Sequence, residues 1–261
     1  MTGEVVLRDI DDGVATITLN RPDRLNAWTD ELENAYFDAL EACGADRGVR
    51  VIVVTGAGRG FCAGADMDDL QAIGGDGLEH RNAAADPRPQ TFALTIPKPI
   101  VAAINGPCAG LGLVHALMCD IRFAAADAKL TTAFSRRGLV AEHGISWILP
   151  RLVGPARALD LLLSGRVLLA EEAERLGLVN RAIEPDRLLE ETYAYARELA
   201  TQCSPASMAA MKRQVYADLD RGVDAALPEA DRLMLQSLQA PDFVEGVQSF
   251  LERRAPSFAP L

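Results

Sequence analysis

Two stretches of the chain follow the same order, an apolar run and then a loop rich in glycine. The first run covers residues 51–54 and leads into residues 55–66, and the second covers residues 99–104 and leads into residues 105–112. A short continuous apolar run that ends in glycines predicts a strand buried on both faces, as in a parallel sheet. Because parallel strands need helical crossovers between them, the repeat predicts an α/β fold.

The glycine loops do not match the common nucleotide-binding motifs. Gly56-x-Gly58 is not followed by the third glycine of a dinucleotide fingerprint, and no Gly-Lys-Ser/Thr follows either loop. The second loop enters a predicted helix at residues 113–119, and the N–H groups of a first helical turn have no internal partner. One N–H from each loop could bind a single oxygen and form an oxyanion hole for a carbonyl that becomes an enolate.

Composition limits the possible partners of the chain. Its 261 residues fit one large domain or a domain with an appendage, and its net charge of −11 excludes nucleic acid as an expected partner. The five cysteines have irregular spacing that predicts neither a metal site nor a disulfide framework, and so favours a reducing, cytoplasmic location. No apolar run approaches the roughly 20 residues of a membrane helix, and no signal peptide is predicted.

The two loops carry a resemblance to a known family. Residues 61–66, residues 98–106 and the triplet 118–120 resemble the enoyl-CoA hydratase/isomerase (crotonase) family, and the likeness extends from Val14 to about Phe258. The resemblance implies a crotonase-like α/β spiral of repeated ββα units over residues 1–200. It also implies an all-α C-terminal subdomain over residues 201–261 that mediates trimerisation, and therefore a homotrimer or a dimer of trimers.

The same resemblance implies where an acyl-CoA substrate would bind. The thioester oxygen would lie between the backbone N–H groups of Ala65 and Leu111, and coenzyme A, as part of the substrate, would be the only cofactor-like group. Further contacts with the substrate or its coenzyme A are implied at Arg24, Ala27, Ala63, Gly64, Asp66, Gly110, Val114, Phe134 and Phe250. The resemblance implies that Arg21 and Arg24 meet phosphates of the coenzyme A, and the alternative is that they are solvated loop charges. Asp66 is more readily a helix cap than a catalytic group.

The resemblance also shows what is missing for hydration. Hydratases of the family use two glutamates that hold and deprotonate a water, and the matching positions here are Val114 and Phe134. Because neither side chain can titrate, the usual two-glutamate mechanism is not predicted.

Glu142 supplies another acid. It lies in residues 138–144, a segment that aligns without a gap with dienoyl-CoA isomerases of the family, which carry an aspartate at this position. A single carboxylate can take a proton from one carbon and return it to another, so isomerisation is favoured over hydration. Apolar neighbours such as Val140 are expected to enclose this carboxyl and so favour the catalytic role. The alternative role for Glu142 is that of a carboxylate at a helix N-terminus. A non-catalytic acyl-CoA-binding protein and a related thioester reaction such as hydrolysis remain the alternative functions.

The histidines and the loop segments complete the prediction. His143 could assist Glu142, whereas His115 is expected to be a hydrogen-bonded core residue, and no metal site is predicted. Residues 74–89, which include His80, are expected to be the most mobile part of the chain. The prolines beyond residue 185 predict three further helices.

Overall fold

The structure is a computed structural model that describes residues 3–72 and 86–261. The chain begins with the antiparallel strands β1 (Val6–Asp11) and β2 (Val14–Leu19). Asp12 and Gly13 join them with positive φ angles of 46° and 79°, the backbone of a tight hairpin turn. In the sequence, Asp12-Gly13 between two apolar runs predicts a hairpin, and the structure confirms it.

The first helix and the first buried strand follow. Helix α1 (Asp30–Ala45) begins after Thr29, whose side chain accepts a hydrogen bond from the Leu32 N–H at 3.2 Å. Strand β3 (Val51–Gly56) is buried at every residue, as its apolar run predicts. Helix α2 (Met67–Ala72) comes directly after the first glycine loop.

Residues 73–85, which contain His80 and most of the segment expected to be mobile, lie outside the described residues. The described end of that segment is tied to α1 by Arg88. Its guanidinium lies 2.7 Å from the Asp38 carboxylate and 3.1 Å from that of Glu41. Residues 86–89 therefore pack along α1.

The second glycine loop is embedded in a run of short elements. These are β4 (Ile100–Ile104), β5 (Cys108–Ala109), α3 (Leu111–Leu117), β6 (Ile121–Ala125) and β7 (Lys129–Thr131). Helix α3 begins two residues earlier than the prediction at residue 113. The reason is Gly110, whose φ of 49° and ψ of −121° turn the chain directly from β5 into the helix.

The next segment contains helices α4 (Ile145–Val153) and α5 (Pro155–Ser164), strand β8 (Leu168–Leu169), helix α6 (Ala170–Leu176) and strand β9 (Arg181–Ile183). The sequence predicts helices at residues 145–152, 156–163 and 170–176, which are within one residue of the observed bounds. The sequence did not predict β8 and β9, because strands of two and three residues are too short to show an alternating pattern.

The strands form two sheets. The larger has the order β1-β2-β3-β4-β6-β9, parallel except for the first pair, and the smaller has the order β5-β7-β8. Strands β3 and β4 are neighbours, with Thr55 opposite Ala103. The two glycine loops therefore leave the same edge of the sheet side by side.

Four helices, rather than the predicted three, follow residue 185 in the described chain. They are α7 (Leu188–Gln202), α8 (Pro205–Asp218), α9 (Val223–Leu238) and α10 (Pro241–Glu252). The prediction is wrong because the break before α9 is made by Gly222, the residue that caps this helix, and not by a proline. Pro228 instead lies inside α9.

The C-terminal helices attach to the sheet in two ways. Helix α7 packs on β3, β4 and β6 and buries Thr192 and Ala196. Helix α8 is held by Lys212, whose ammonium lies 2.8 Å from the Asp120 carboxylate, and by Tyr216, whose hydroxyl donates to Asp120 at 2.9 Å. The boundary between residues 200 and 201 stays a prediction. Among the described residues, no helix is long and apolar enough to cross a membrane.

Candidate active site

The side chain of Asn26 holds the first glycine loop in place through hydrogen bonds. This residue is fully buried, and its side-chain amide donates to the carbonyls of Ala57 at 3.0 Å and Gly60 at 2.8 Å. Its own carbonyl oxygen accepts a hydrogen bond from the Arg21 N–H at 2.8 Å. The loop thereby has a defined backbone although its sequence is rich in glycine.

A single parallel bridge orients the Ala65 amide. The Trp28 N–H donates to the Gly64 carbonyl at 2.7 Å, and the Asp66 N–H donates to the Trp28 carbonyl at 2.9 Å. In this pattern the N–H and C=O of the middle residue, Ala65, point away from Trp28. The Ala65 N–H is therefore directed to the side opposite Trp28.

The second loop packs directly against the first. The Ala109 N–H donates to the Cys62 carbonyl at 3.0 Å, and a Cβ on Gly64 would lie 3.0 Å from the Ala109 oxygen. Gly64 also has a φ of 96°, which side chains rarely adopt. The close approach of the two loops therefore requires glycine at position 64.

The Leu111 amide has no partner within its own helix. Leu111 is the first residue of α3, and Gly110 before it donates its own N–H to the Thr131 carbonyl at 3.1 Å. No carbonyl lies one turn earlier in the helix to accept from Leu111. Within the described ranges, neither Ala65 nor Leu111 donates its backbone N–H to another backbone group.

Most predicted site residues surround one cavity of about 930 Å³. The predicted residues that line it are Arg24, Ala27, Ala63, Gly64, Ala65, Asp66, Gly110, Leu111, Phe134 and Glu142. Both predicted oxyanion residues and the predicted proton carrier therefore share one space.

Two predicted contact residues do not line this cavity. Val114 is fully buried in the core, and the other residues of α3 are buried as well. Phe250 lies on α10 with 81 % of its surface exposed. In a single chain it has no access to the cavity.

The cavity has further lining residues that the sequence did not single out: Met67, Leu70, Gln71, Thr132, Ala133, Arg137 and Leu139. Met67, Leu70 and Gln71 are spaced by three and four residues on α2, so their shared face could have been found from helical spacing. The others depend on Ala133, whose φ of 58° redirects the chain after β7. No sequence signal marks an alanine in that conformation.

Glu142 lies in the turn before α4 with its side chain 31 % exposed. Its carboxylate is 3.4 Å from the ring Nε2 of His143. The residue that caps α4 is Gly144, and no side chain accepts a hydrogen bond there. The carboxylate of Glu142 is thus not used as a helix cap. Val140, expected to help enclose it, is 75 % exposed and does not do so in the single chain.

Asp66 has a structural role next to the predicted oxyanion residue. One carboxylate oxygen accepts the Asp68 N–H at 3.1 Å, which confirms the predicted cap of α2, and the other lies 2.9 Å from the Arg21 guanidinium. Burial opposes ionisation, but the Asp68 N–H and the Arg21 charge lower the pKa of the Asp66 carboxyl below its usual value. Since Arg21 also donates to the Ala27 carbonyl, it is engaged within the loop and is not a free phosphate ligand.

His115 is a core residue, but it is not hydrogen-bonded as expected. It is 2 % exposed, and neither ring nitrogen has a hydrogen-bond partner in the part of the chain that the structure describes. Its ring stacks on Trp28 at a centroid distance of 3.9 Å. Burial, with a smaller contribution from the charge of His143, lowers the pKa of His115 to about 3. The ring is therefore neutral at physiological pH and is not a proton donor to the cavity.

Comparison with known proteins gives one consistent family. A family model described as enoyl-CoA hydratase/isomerase matches residues 9–260. The chain is 36 % identical over 260 residues to the 1,2-epoxyphenylacetyl-CoA isomerase of Escherichia coli K12, covering 98 % of each protein.

Among the described residues, no group of side chains suited to hold a metal ion is present.

Solved structures share the fold. An enoyl-CoA hydratase from Mycobacterium marinum is 52 % identical, with 84 % of this chain and all of that chain covered and a TM-score of 0.72. A probable enoyl-CoA hydratase/isomerase from Mycobacterium abscessus is 31 % identical, with 98 % and 99 % covered and a TM-score of 0.90. These similarities confirm the predicted α/β fold with its helical C-terminal portion.

Proposed function

We propose, from the premise that the chain belongs to the enoyl-CoA hydratase/isomerase family, that it is an enzyme that shifts a double bond in an acyl-CoA thioester. Glu142 carries the proton in this reaction, and the N–H groups of Ala65 and Leu111 bind the thioester oxygen. Coenzyme A enters as part of the substrate, and the reaction needs no other cofactor.

The observation that carries the proposal is the state of the carboxylates that line the cavity. In the described lining these are Asp66 and Glu142. Asp66 is occupied by Arg21 and by the cap of α2, whereas Glu142 caps no helix and contacts His143 at 3.4 Å. Glu142 is therefore the carboxylate available to a substrate.

The proposed reaction transfers one proton along the acyl chain. Glu142 removes a proton from the carbon next to the double bond, and the electrons move toward the thioester oxygen to give a dienolate. The N–H groups of Ala65 and Leu111 stabilise the negative charge on that oxygen. Glu142 then returns the proton to a different carbon, so the acid–base group is regenerated and no atom is added to the substrate.

Hydration fits the cavity less well than isomerisation. It requires groups that hold and deprotonate a water, and the two positions expected for them are a buried Val114 and an apolar Phe134. The relative from Escherichia coli is named for the isomerisation of an epoxide, a reaction that likewise adds no atom to its substrate. Other relatives, among them the protein from Mycobacterium marinum, are named enoyl-CoA hydratases.

The test is a spectroscopic assay with 2-enoyl-, 3-enoyl- and dienoyl-CoA thioesters. Glu142→Gln keeps the size of the side chain but cannot carry a proton, so we expect the rate to fall about 10²- to 10⁴-fold while the Kd for the thioester stays the same. Glu171→Gln, at an exposed carboxylate away from the cavity, is the matched control.

A second candidate is a non-catalytic acyl-CoA-binding protein, favoured by the loss of both hydratase glutamates. Tight thioester binding without turnover of any substrate in the panel would establish it. Turnover by Glu142→Gln at the rate of the unchanged protein would refute the role of Glu142.

The exposed apolar residues of the C-terminal helices support assembly as a homotrimer or a dimer of trimers. They include Leu235, Phe243, Val247, Phe250 and Leu251. A surface with this many apolar side chains is typical of an interface between subunits. Light scattering on the purified protein gives the mass of the assembly. We also propose a cytoplasmic location, in keeping with five cysteines that form no disulfide among the described residues.

A further inference from the structure

The charged side chains that line the cavity differ in how they are paired. They are Arg24, Asp66, Arg137 and Glu142. Three of them have an oppositely charged or ionisable neighbour within 3.4 Å, in the pairs Arg24–Asp68, Asp66–Arg21 and Glu142–His143.

Arg137 differs from the others. No carboxylate in residues 3–72 and 86–261 forms an ion pair with it. Its guanidinium donates to the Ala133 carbonyl at 3.5 Å, which is at the outer limit of a hydrogen bond. The remaining N–H groups of its planar fork are available to a ligand.

Arg137 is held beside the residues of the proposed reaction. It ends the single 3₁₀ turn Ser135–Arg137, where the Phe134 carbonyl accepts the N–H groups of Arg137 at 2.9 Å and Leu139 at 3.0 Å. Phe134, Leu139 and Glu142 on this segment all line the cavity. Arg24 and Ala27, which the family resemblance associates with coenzyme A, lie on a different segment.

We infer that Arg137 binds a carboxylate at the far end of the acyl group. The substrate class is then the mono-coenzyme A thioesters of unsaturated dicarboxylic acids. The planar guanidinium matches the two oxygens of a carboxylate, and the apolar side chains of Met67, Leu70 and Leu139 suit the carbon chain between the two ends. This inference rests on the proposed function, since it assumes that the cavity holds an acyl-CoA.

Coenzyme A carries phosphates, which are a second source of the same anionic chemistry. The position of Arg137 favours the acyl carboxylate, because Arg137 lies on the same segment as Glu142 and not on that of Arg24. The two sources predict different results, since a phosphate contact would affect every thioester equally and a carboxylate contact would affect only substrates that have one.

The experiment measures Kd by calorimetry for two saturated thioesters of equal carbon number, adipoyl-CoA with a terminal carboxylate and hexanoyl-CoA without one. We expect adipoyl-CoA to bind about 10-fold to 100-fold more tightly, the range for a hydrogen bond to a charged group. Arg137→Leu abolishes this preference and leaves the Kd of hexanoyl-CoA unchanged, and Arg137→Lys restores part of it. Arg136→Leu is the matched control, because Arg136 donates to the Ser164 carbonyl at 2.8 Å and does not line the cavity.

Equal binding of the two thioesters by the unchanged protein would overturn the inference. A loss of both affinities in Arg137→Leu would also overturn it and assign Arg137 to coenzyme A, to the 3′-phosphate if the loss is absent with dephospho-coenzyme A thioesters and to the diphosphate if the loss remains. Because saturated thioesters do not react, a carboxylate preference without turnover of any unsaturated substrate would keep this inference and refute the proposed isomerase.

Discussion

Replacing Leu111 with proline removes the backbone N–H that is proposed to bind the thioester oxygen. Proline is well tolerated at the first position of a helix, where the N–H has no internal partner, and Leu111 is the first residue of α3. The residue before a proline must be extended, and Gly110, with φ 49° and ψ −121°, has the mirror image of that conformation. Glycine has no Cβ, so the mirror image is equally free of clashes.

The size of the effect follows from the number of donors. Each of the two proposed donors stabilises the charge on the thioester oxygen, and loss of one oxyanion-hole donor costs about 2.7–4 kcal/mol, or about 10²- to 10³-fold in kcat. The proline Cδ also takes the place of the amide hydrogen, so thioester binding weakens too. Rates are therefore compared at saturating substrate, with Kd measured separately.

Leu111→Ala is the control for the lost side chain, which is 5 % exposed. This variant keeps the N–H, so we expect it to retain a rate near that of the unchanged protein, while Leu111→Pro is at least about 10²-fold slower. Thermal unfolding of both variants is the test that they fold. Equal kcat in the two variants would show that the Leu111 amide does not bind the reacting oxygen.

Two predictions concern stability. Because His115 is neutral in the core with a pKa of about 3 and regains its ordinary value of 6.5 on unfolding, the unfolded chain binds more protons and stability falls as the pH drops below 6.5. A change from about pH 7 to about pH 5 should lower the free energy of unfolding of the unchanged protein by about 2 kcal/mol more than that of His115→Phe, as measured by urea unfolding. An equal loss in both proteins would contradict the neutral buried ring. Lys212→Met leaves the Asp120 carboxylate without its cation at a site where the two side chains are 7 % and 17 % exposed. We expect a loss of about 3–5 kcal/mol in thermal or urea unfolding, against no loss for the exposed control Lys129→Met.

The elements with strong local signals were predictable from the sequence. The strands before the glycine loops and the Asp12-Gly13 hairpin were found because a buried run and a turn with positive φ leave clear marks in composition. The strands β8 and β9 and the break at Gly222 were missed. Each depends on tertiary pairing or on a cap without a proline, neither of which short-range patterns reveal.

The candidate site was predictable where the backbone itself carries the feature. The two loops indicated a pair of backbone donors, the family resemblance assigned them to Ala65 and Leu111, and both residues line the cavity. The contacts of side chains were harder to predict, because they depend on how whole elements pack together. Val114 was expected to contact substrate, but it is fully buried in the core and does not line the cavity. Arg137 was missed because its position depends on a turn after an alanine with positive φ.

The pairing of β3 with β4 has a consequence for how the protein folds. The cavity is walled by segments that are far apart in the chain, from Arg24 to Glu142, and these meet only when the parallel strands between them have paired. Pairing of this kind is non-local and therefore slow, so the cavity is completed late on the folding pathway. We expect a chain interrupted within β3 or β4 to have no place for a ligand, because the two glycine loops are then not held side by side.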